Sequence, residues 1–371
     1  MTVTAQPADE TAEEQFEAQL NGFVESVFGA ALGFMEISVG YLGRVLGYYA
    51  ALRGTGGLTA AELAARTATD ERYAREWLEH QAVSGTLIVD DPAAAAGDRR
   101  YALPEAHAVA LLDEEHPAYV GALVDVPPIV ARTLETLIEA FRTGAGVPFA
   151  AYGLHDMQAG FTRPMFANDL AGRWLAALPD VHTRLQAGEA LRIADFGCGE
   201  GWASIYVAEA YPAVTVHGYD LDDASIAAAR KHAADRGVAD RVRFEVQDVT
   251  DPAFGERYDL VFACEMIHDL ADPVGALAAM RRLAGEGGAV LVVDERADEE
   301  FTPSNDPIQR LLYTFSVLHC LPAGRDAETS AETGTVMRPA TFRAYAEAAG
   351  FAGVDELPIE HEFFRFYRPR G

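Results

Sequence analysis

Residues 192–202 read Arg-Ile-Ala-Asp-Phe-Gly-Cys-Gly-Glu-Gly-Trp, an apolar run that ends in Asp195 and passes through Gly197, Gly199 and Gly201 before a helical pattern begins. Glycines at alternate positions let the backbone turn sharply and let a ligand approach its N–H groups, because no Cβ stands in the way. The spacing then discriminates between nucleotide sites. A dinucleotide loop, G-x-G-x-x-G, needs a glycine where Trp202 stands, and Ala203 gives no support to the Gly-Lys-Ser/Thr of a Walker loop. Both phosphate-binding readings are weak.

From residue 191 onward, strand and helix patterns alternate. Strands are expected at 191–196, 214–219, 242–246, 258–264 and 289–293, with helices near 202–210, 223–236 and 272–284. This order predicts an α/β, Rossmann-like doubly wound domain: a mostly parallel sheet with helices on both faces. In such a sheet a ligand sits beyond the carboxyl ends of the strands, where the topology switches. Every expected strand delivers an acidic residue to that edge: Asp195, then Asp220, then Asp248, then Glu265 followed by His268-Asp269, then Asp294-Glu295. Carboxylates gathered at one edge repel one another, so some of them must meet donors or a cation. Asp220 suits the two hydroxyls of a ribose as an acceptor pair, since Asp223 and Ser225 already serve the next helix start.

The rest of the chain sets bounds. With 371 residues, half of them hydrophobic, two or three compact units are expected. The formal charge of −28 repels phosphate backbones and anionic membranes, which argues against nucleic acid and membrane partners. Cys198, Cys264 and Cys320 have neither C-x-x-C spacing nor an even number, so neither a disulfide scaffold nor a zinc site is expected and a reducing cytoplasm fits. Residues 1–15 are polar and acidic, read as a disordered tail without the basic-then-apolar pattern of a signal peptide. The apolar stretch 23–52 is interrupted by Glu25, Glu36 and Arg44, so it reads as a buried helix pair and not a membrane span. Its wide apolar face predicts cover from the same element of a second subunit, a homodimer through the N-terminal helices.

Residues 58–103 carry two helix patterns, the second capped by Asp70, and two short strand patterns around a polar loop. Two helices and a hairpin suggest a winged helix. Acidic residues outnumber arginines between 58 and 112, against the basic footprint of a groove reader, so a structural domain is expected. The expected domains are therefore 16–112, a mainly α-helical winged-helix and dimerisation domain; 113–184, a helical linker and pocket-covering segment; and 185–371, the cofactor domain. Tyr152, His155, Met157, Phe161, Phe166 and Trp174 in the middle segment are candidates for core or pocket wall.

Asp-x-Gly-x-Gly-x-Gly at 195–201, acidic Asp220, Asp248 after the third strand, and Gly287-Gly288 before the fifth together resemble the core of the class I S-adenosylmethionine-dependent methyltransferases. A looser similarity, on residues 72–78, 334–338 and 364–368, extends to bacterial members fronted by a helical dimerisation region and a winged helix. The resemblance implies S-adenosyl-L-methionine as cofactor, with Asp195, Gly197, Gly199, Gly201, Asp220, Leu221, Asp248, Val249 and Glu265 around it. Asp248 would face the adenine amino group and Val249 the ring. His268-Asp269 resembles the His-Asp pair of small-molecule O-methyltransferases, which implies His268 as general base with Glu265 and Asp269 beside it. The pair departs from that pattern at Leu270, where the family carries Trp. The alternative for His268 is a structural residue of the turn before a helix capped by Asp272 and begun by Pro273. His155, His319 and Arg338 are further candidates for the acceptor pocket. His268, Glu265 and Asp269 could also hold a metal, but no second acidic cluster supports one, and none is expected. The expected activity is cytoplasmic methyl transfer to a small aromatic or secondary metabolite, on oxygen before nitrogen or carbon. The rival is a winged-helix regulator with a ligand-sensing domain.

Overall fold

The computed structural model describes residues 11–371. The first ten residues of the expected tail lie outside the described ones. Thr11 caps a helix beginning at Ala12, accepting from Glu14 N while the Glu14 side chain accepts from Thr11 N, so helix begins before the expected start at 16.

Two compact units are present, one up to Leu112 together with Leu123–Pro127, the other Asp113–Ala122 together with Pro128–Gly371. In the first, the stretch expected as a buried helix pair holds two helices, Ala12–Val45 and Tyr48–Leu52, of which the short second one is buried and the long first one is mostly exposed. Phe16, Phe23 and Phe28 are 61%, 69% and 67% exposed on it. By length and composition it is the one helix among the described residues that could cross a membrane. Its C-terminal part joins the core of the unit at Trp77, whose indole donates to Val39 O at 3.0 Å and packs edge-on against Tyr48 and Tyr49. A Cβ at Gly43 would collide with the Trp77 ring, so a glycine is required there. Ala60–Thr67 and Glu71–Val83 follow, the latter capped by Asp70 as expected, and then two short strands, β1 (Ile88–Val89) and β2 (Tyr101–Ala102), pair antiparallel.

The second unit carries a seven-stranded sheet: β3 (Arg192–Phe196), β4 (Thr215–Asp220), β5 (Val242–Val246), β6 (Leu260–Cys264), β7 (Ala289–Glu295), β8 (Gly353–Glu356) and β9 (Phe364–Arg370), in the order β5-β4-β3-β6-β7-β9-β8. β3 to β7 pair parallel, and β9 pairs antiparallel with both β7 and β8. The order reverses at β3, so the crevice beyond its end is the switch point. Alternate residues of the sheet enter two cores. Ile193, Phe262 and Leu291 face Trp202–Ala210 and Trp174, while Ala194, Val261 and Val292 face Pro273–Ala284 and Phe342. Near-continuous apolar strands of this kind are what a doubly covered parallel sheet requires. The residues before the sheet are helical, with Phe166–Trp174 wound as a π-helix that buries Trp174 against Phe364 and Phe366 of β9.

Candidate functional site

Gly197, Gly199 and Gly201 all have positive φ, at 67°, 50° and 82°. The chain leaves β3, turns back on itself and enters the helix Trp202–Ala210 at Gly201. A side chain at 197 would strike Met266 and one at 201 would strike Phe244, whereas the space beside Gly199 is open. The loop is tied down from the neighbouring strand. Tyr219 O accepts from Gly197 N at 2.8 Å and from Cys198 N at 3.1 Å.

A cavity of about 660 Å³ opens beyond these strand ends. Of the nine residues named for the cofactor, eight line it: Asp195, Gly197, Gly199, Asp220, Leu221, Asp248, Val249 and Glu265. Gly201 stands apart from the wall and serves the turn. Asp195 is buried, its Oδ2 accepting from Ser204 Oγ at 2.8 Å, and burial pushes its carboxyl up to about 7. Asp220 accepts from Gly199 N and from Asp222 N, both at 2.9 Å, and burial raises its carboxyl. Asp248 accepts from Thr250 N at 2.9 Å and Thr250 Oγ1 at 2.6 Å. The cap of the following helix is Asp222, which accepts from Ser225 N at 2.7 Å, and not Asp223.

Glu265, at the end of β6, sits in the left-handed region with φ 52°, uncommon for a residue with a side chain and a mark of functional positions. Its Oε1 is buried without a hydrogen-bond partner at the cavity wall. Burial, reinforced by Asp294 and Asp269 against the opposing pull of His268, pushes this carboxyl up to about 8.

His268, expected as general base, lies behind the cavity wall. It is 2% exposed and does not line the cavity. Its Nδ1 lies 2.7 Å from Asp294 Oδ1 and 2.8 Å from Glu295 Oε2, and its Nε2 lies 3.1 Å from Asp269 Oδ1. Burial opposes the charged ring, but these three carboxylates hold its pKa well above the ordinary value. Both ring nitrogens face carboxylates and neither opens onto the cavity, so the geometry gives an acceptor hydroxyl no direct approach to His268. The cause was out of reach of the strand pattern: β7 runs on through Asp294 and Glu295, which turns Asp294 inward at 0% exposure. Asp269 does line the cavity, and although burial works against it, His268 draws its carboxyl down to about 2.

Of the earlier candidates, His155 and Phe166 line the cavity. Tyr152, Met157 and Trp174 are core, and Phe161 packs edge-on against Phe363. His319 is buried between the Phe149 and Tyr152 rings, and Arg338 bonds Asp298 O and Tyr313 Oη. Phe149, Gln158, Glu200, Trp202 and Met266 were missed as wall. Trp202 is held by Arg163, 3.7 Å above its ring, and by His232 stacked at 4.5 Å. Such contacts join residues distant in the chain and leave no local pattern.

The cavity fits S-adenosyl-L-methionine on its own features. Its open space beside Gly199 admits a close approach to backbone, and its carboxylate-rich wall suits a ligand carrying a sulfonium and an ammonium. A family model described as a methyltransferase domain matches residues 187–321, and one described as an Rv2258c-like winged HTH domain matches residues 30–112. The ubiquinone biosynthesis O-methyltransferase of Pseudomonas aeruginosa is 32% identical over 174 residues, which span 46% of this chain and 68% of that protein. The aklanonic acid methyltransferase DauC of a Streptomyces species is 36% identical over 101 residues, 27% of this chain and 46% of that one. Among solved structures, the mitomycin 7-O-methyltransferase MmcR superposes with a TM-score of 0.68 at 22% identity, covering 96% of this chain and all of that one, a likeness of fold. The glycine loop, the acidic strand ends and these matches agree, and the chain belongs to the class I S-adenosyl-L-methionine-dependent methyltransferases, with a winged-helix-type unit before the catalytic domain.

Proposed function

We propose that this methyltransferase acts in the cytoplasm on a hydroxyl oxygen of a small aromatic metabolite, with Glu265 receiving the hydroxyl proton. The observation that carries the reading is the buried, unpartnered Oε1 of Glu265 at the wall of a cavity whose other surfaces include Phe149, Phe166 and Trp202. A carboxyl pushed up to about 8 suits a base working near neutral pH, because basicity and availability are then balanced. When bound, S-adenosyl-L-methionine supplies a methyl group already activated on sulfur. The protein therefore has to align an oxygen, exclude water and take one proton. Asp220 would hold the ribose hydroxyls, Asp248 and Val249 the adenine, and Asp195 and the glycine loop the amino-acid end. Glu265 takes the role expected of His268, while Asp269 lines the same wall.

The printed name of the ubiquinone biosynthesis O-methyltransferase supports oxygen as the acceptor atom, and the aromatic rings of the cavity wall support an aromatic acceptor. The test is turnover of a panel of phenols and hydroxyquinones, read by mass spectrometry as methylated product and S-adenosylhomocysteine. Product on phenolic oxygen supports the proposal, and methylation confined to amines or carbon acids overturns it.

A homodimer through Ala12–Val45 belongs to the same reading. The helix exposes Phe16, Phe23, Val24, Val27 and Phe28 in the single chain, more apolar surface than a lone helix keeps in water. A second copy of the helix supplies matching cover by two-fold symmetry.

A further inference from the structure

The polar cluster behind the cavity wall has too few donors. The ring of His268 meets Asp294 and Glu295 on Nδ1 and Asp269 on Nε2. One N–H cannot serve two carboxylates. Asp294 Oδ1 takes the hydrogen bond, and Glu295 Oε2, Asp294 Oδ2 and Asp269 Oδ1 remain buried without a partner. Leaving such atoms unpaired is costly, and a cation beside Nε2 would meet the one of them that faces that nitrogen, Asp269 Oδ1.

A sulfur completes the set. The chain at Ser316–Cys320 is wound as a π-helix, a form that recurs at functional positions. It brings Cys320, 6% exposed, beside His268 and Asp269. His268, Asp269 and Cys320 each offer one ligand atom, and these three atoms lie within 4.8 Å of one another. Asp269 also lines the cavity, so the cluster adjoins the acceptor space.

We propose that His268 Nε2, Asp269 Oδ1 and Cys320 Sγ form a binding site for a zinc-type divalent cation. The donor set decides the class of metal. One imidazole, one carboxylate and one thiolate suit a borderline-soft ion in tetrahedral surroundings, and do not suit magnesium or calcium, which take oxygen ligands. The carboxylates on Nδ1 are the partners a metal-bound histidine ordinarily has, since they fix the ring and direct Nε2 to the ion. Three protein ligands leave a fourth position open, as in zinc sites that bind water or substrate. The reading revises the expectation that no metal is held. The sequence offered only the acidic residues and His268, and the thiol arrives through the tertiary fold.

The experiment uses the full chain stripped with a chelator and dialysed. Zinc chloride is titrated by calorimetry, and cobalt(II) is added in parallel to read the thiolate-to-metal charge-transfer band. One saturable equivalent and a cobalt band in the wild type are expected. Cys320→Ser should abolish the band and weaken zinc by roughly tenfold or more. Cys198→Ser should keep the band. His268→Gln serves as a second ligand variant, with S-adenosylhomocysteine binding as the check that each variant is folded. A wild type without a saturable band overturns the proposal. So does a folded Cys320→Ser or His268→Gln variant that binds zinc as the wild type does, in which case the His268 imidazolium alone neutralises the cluster.

Discussion

Gly199 N donates to Asp220 Oδ2 at 2.9 Å, so the glycine loop and the acidic end of β4 are one hydrogen-bonded unit. The same carboxylate accepts from Asp222 N, which sets the start of the next helix. Asp220→Ala is expected to weaken S-adenosylmethionine binding at least tenfold in calorimetry, because a charged acceptor is lost and the loop is loosened at the same time. Unchanged affinity would remove Asp220 from the cofactor site.

Gly201 has φ 82° and no room for a Cβ against Phe244. Gly201→Ala is expected to cost about 2–4 kcal/mol from backbone strain and overpacking together. Thermal or urea unfolding reads this directly, and a loss below the error of the measurement would show that the loop relaxes around the methyl group.

Asp195 gives the stability a pH dependence with a definite sign. Burial raises its folded-state carboxyl from 3.8 to about 7, so between those values the folded protein holds a proton that the unfolded chain has released. Stability is therefore lost as pH rises from about 4 to about 7, by an amount on the order of 4 kcal/mol for this group. Asp195→Asn keeps a polar partner for Ser204 and should flatten this part of the profile in urea titrations. An unaltered slope would mean that Asp195 ionises freely in the folded state.

Glu265 is expected to set the rising limb of the rate profile. A base must be deprotonated, so kcat should climb as pH rises through about 8, under the combined influence of burial, His268, Asp294 and Asp269. Glu265→Gln should lower kcat by a factor of ~100 or more and remove that limb, with cofactor affinity retained. A variant with wild-type kcat and pH profile would return the base role to another residue.

The N-terminal helix is open to a direct test in solution. Phe23→Glu with Phe28→Glu should convert a dimer to a monomer in light scattering, since each buried phenylalanine contributes about 1.5–3 kcal/mol to such an interface. A monomeric wild type at micromolar concentration would refute the dimer.

The doubly wound sheet and its acidic edge were legible because both are local. Period and spacing mark β3 to β7, positive-φ turns demand Gly197, Gly199 and Gly201, and helix caps name themselves at Asp70 and Asp272. β8 and β9 were not foreseen. Their pairing depends on β7, although the apolar residues of 364–367 carried a signal. The cavity wall shows the same division, since Asp220, Asp248 and Glu265 stand at strand ends while Phe149 and Trp202 arrive by packing.

The sequence by itself determined the methyl donor, because a glycine loop and an acidic residue at a strand end meet their ligand through backbone geometry that any such strand-turn-helix repeats. Only the tertiary structure decided the chemistry around His268. Two residues of additional strand in β7 and one π-helical turn at Ser316–Cys320 surround its ring with Asp294, Glu295, Asp269 and Cys320. An imidazole's role is set by what lies on its two nitrogens, and those partners come from three segments that the chain order keeps apart.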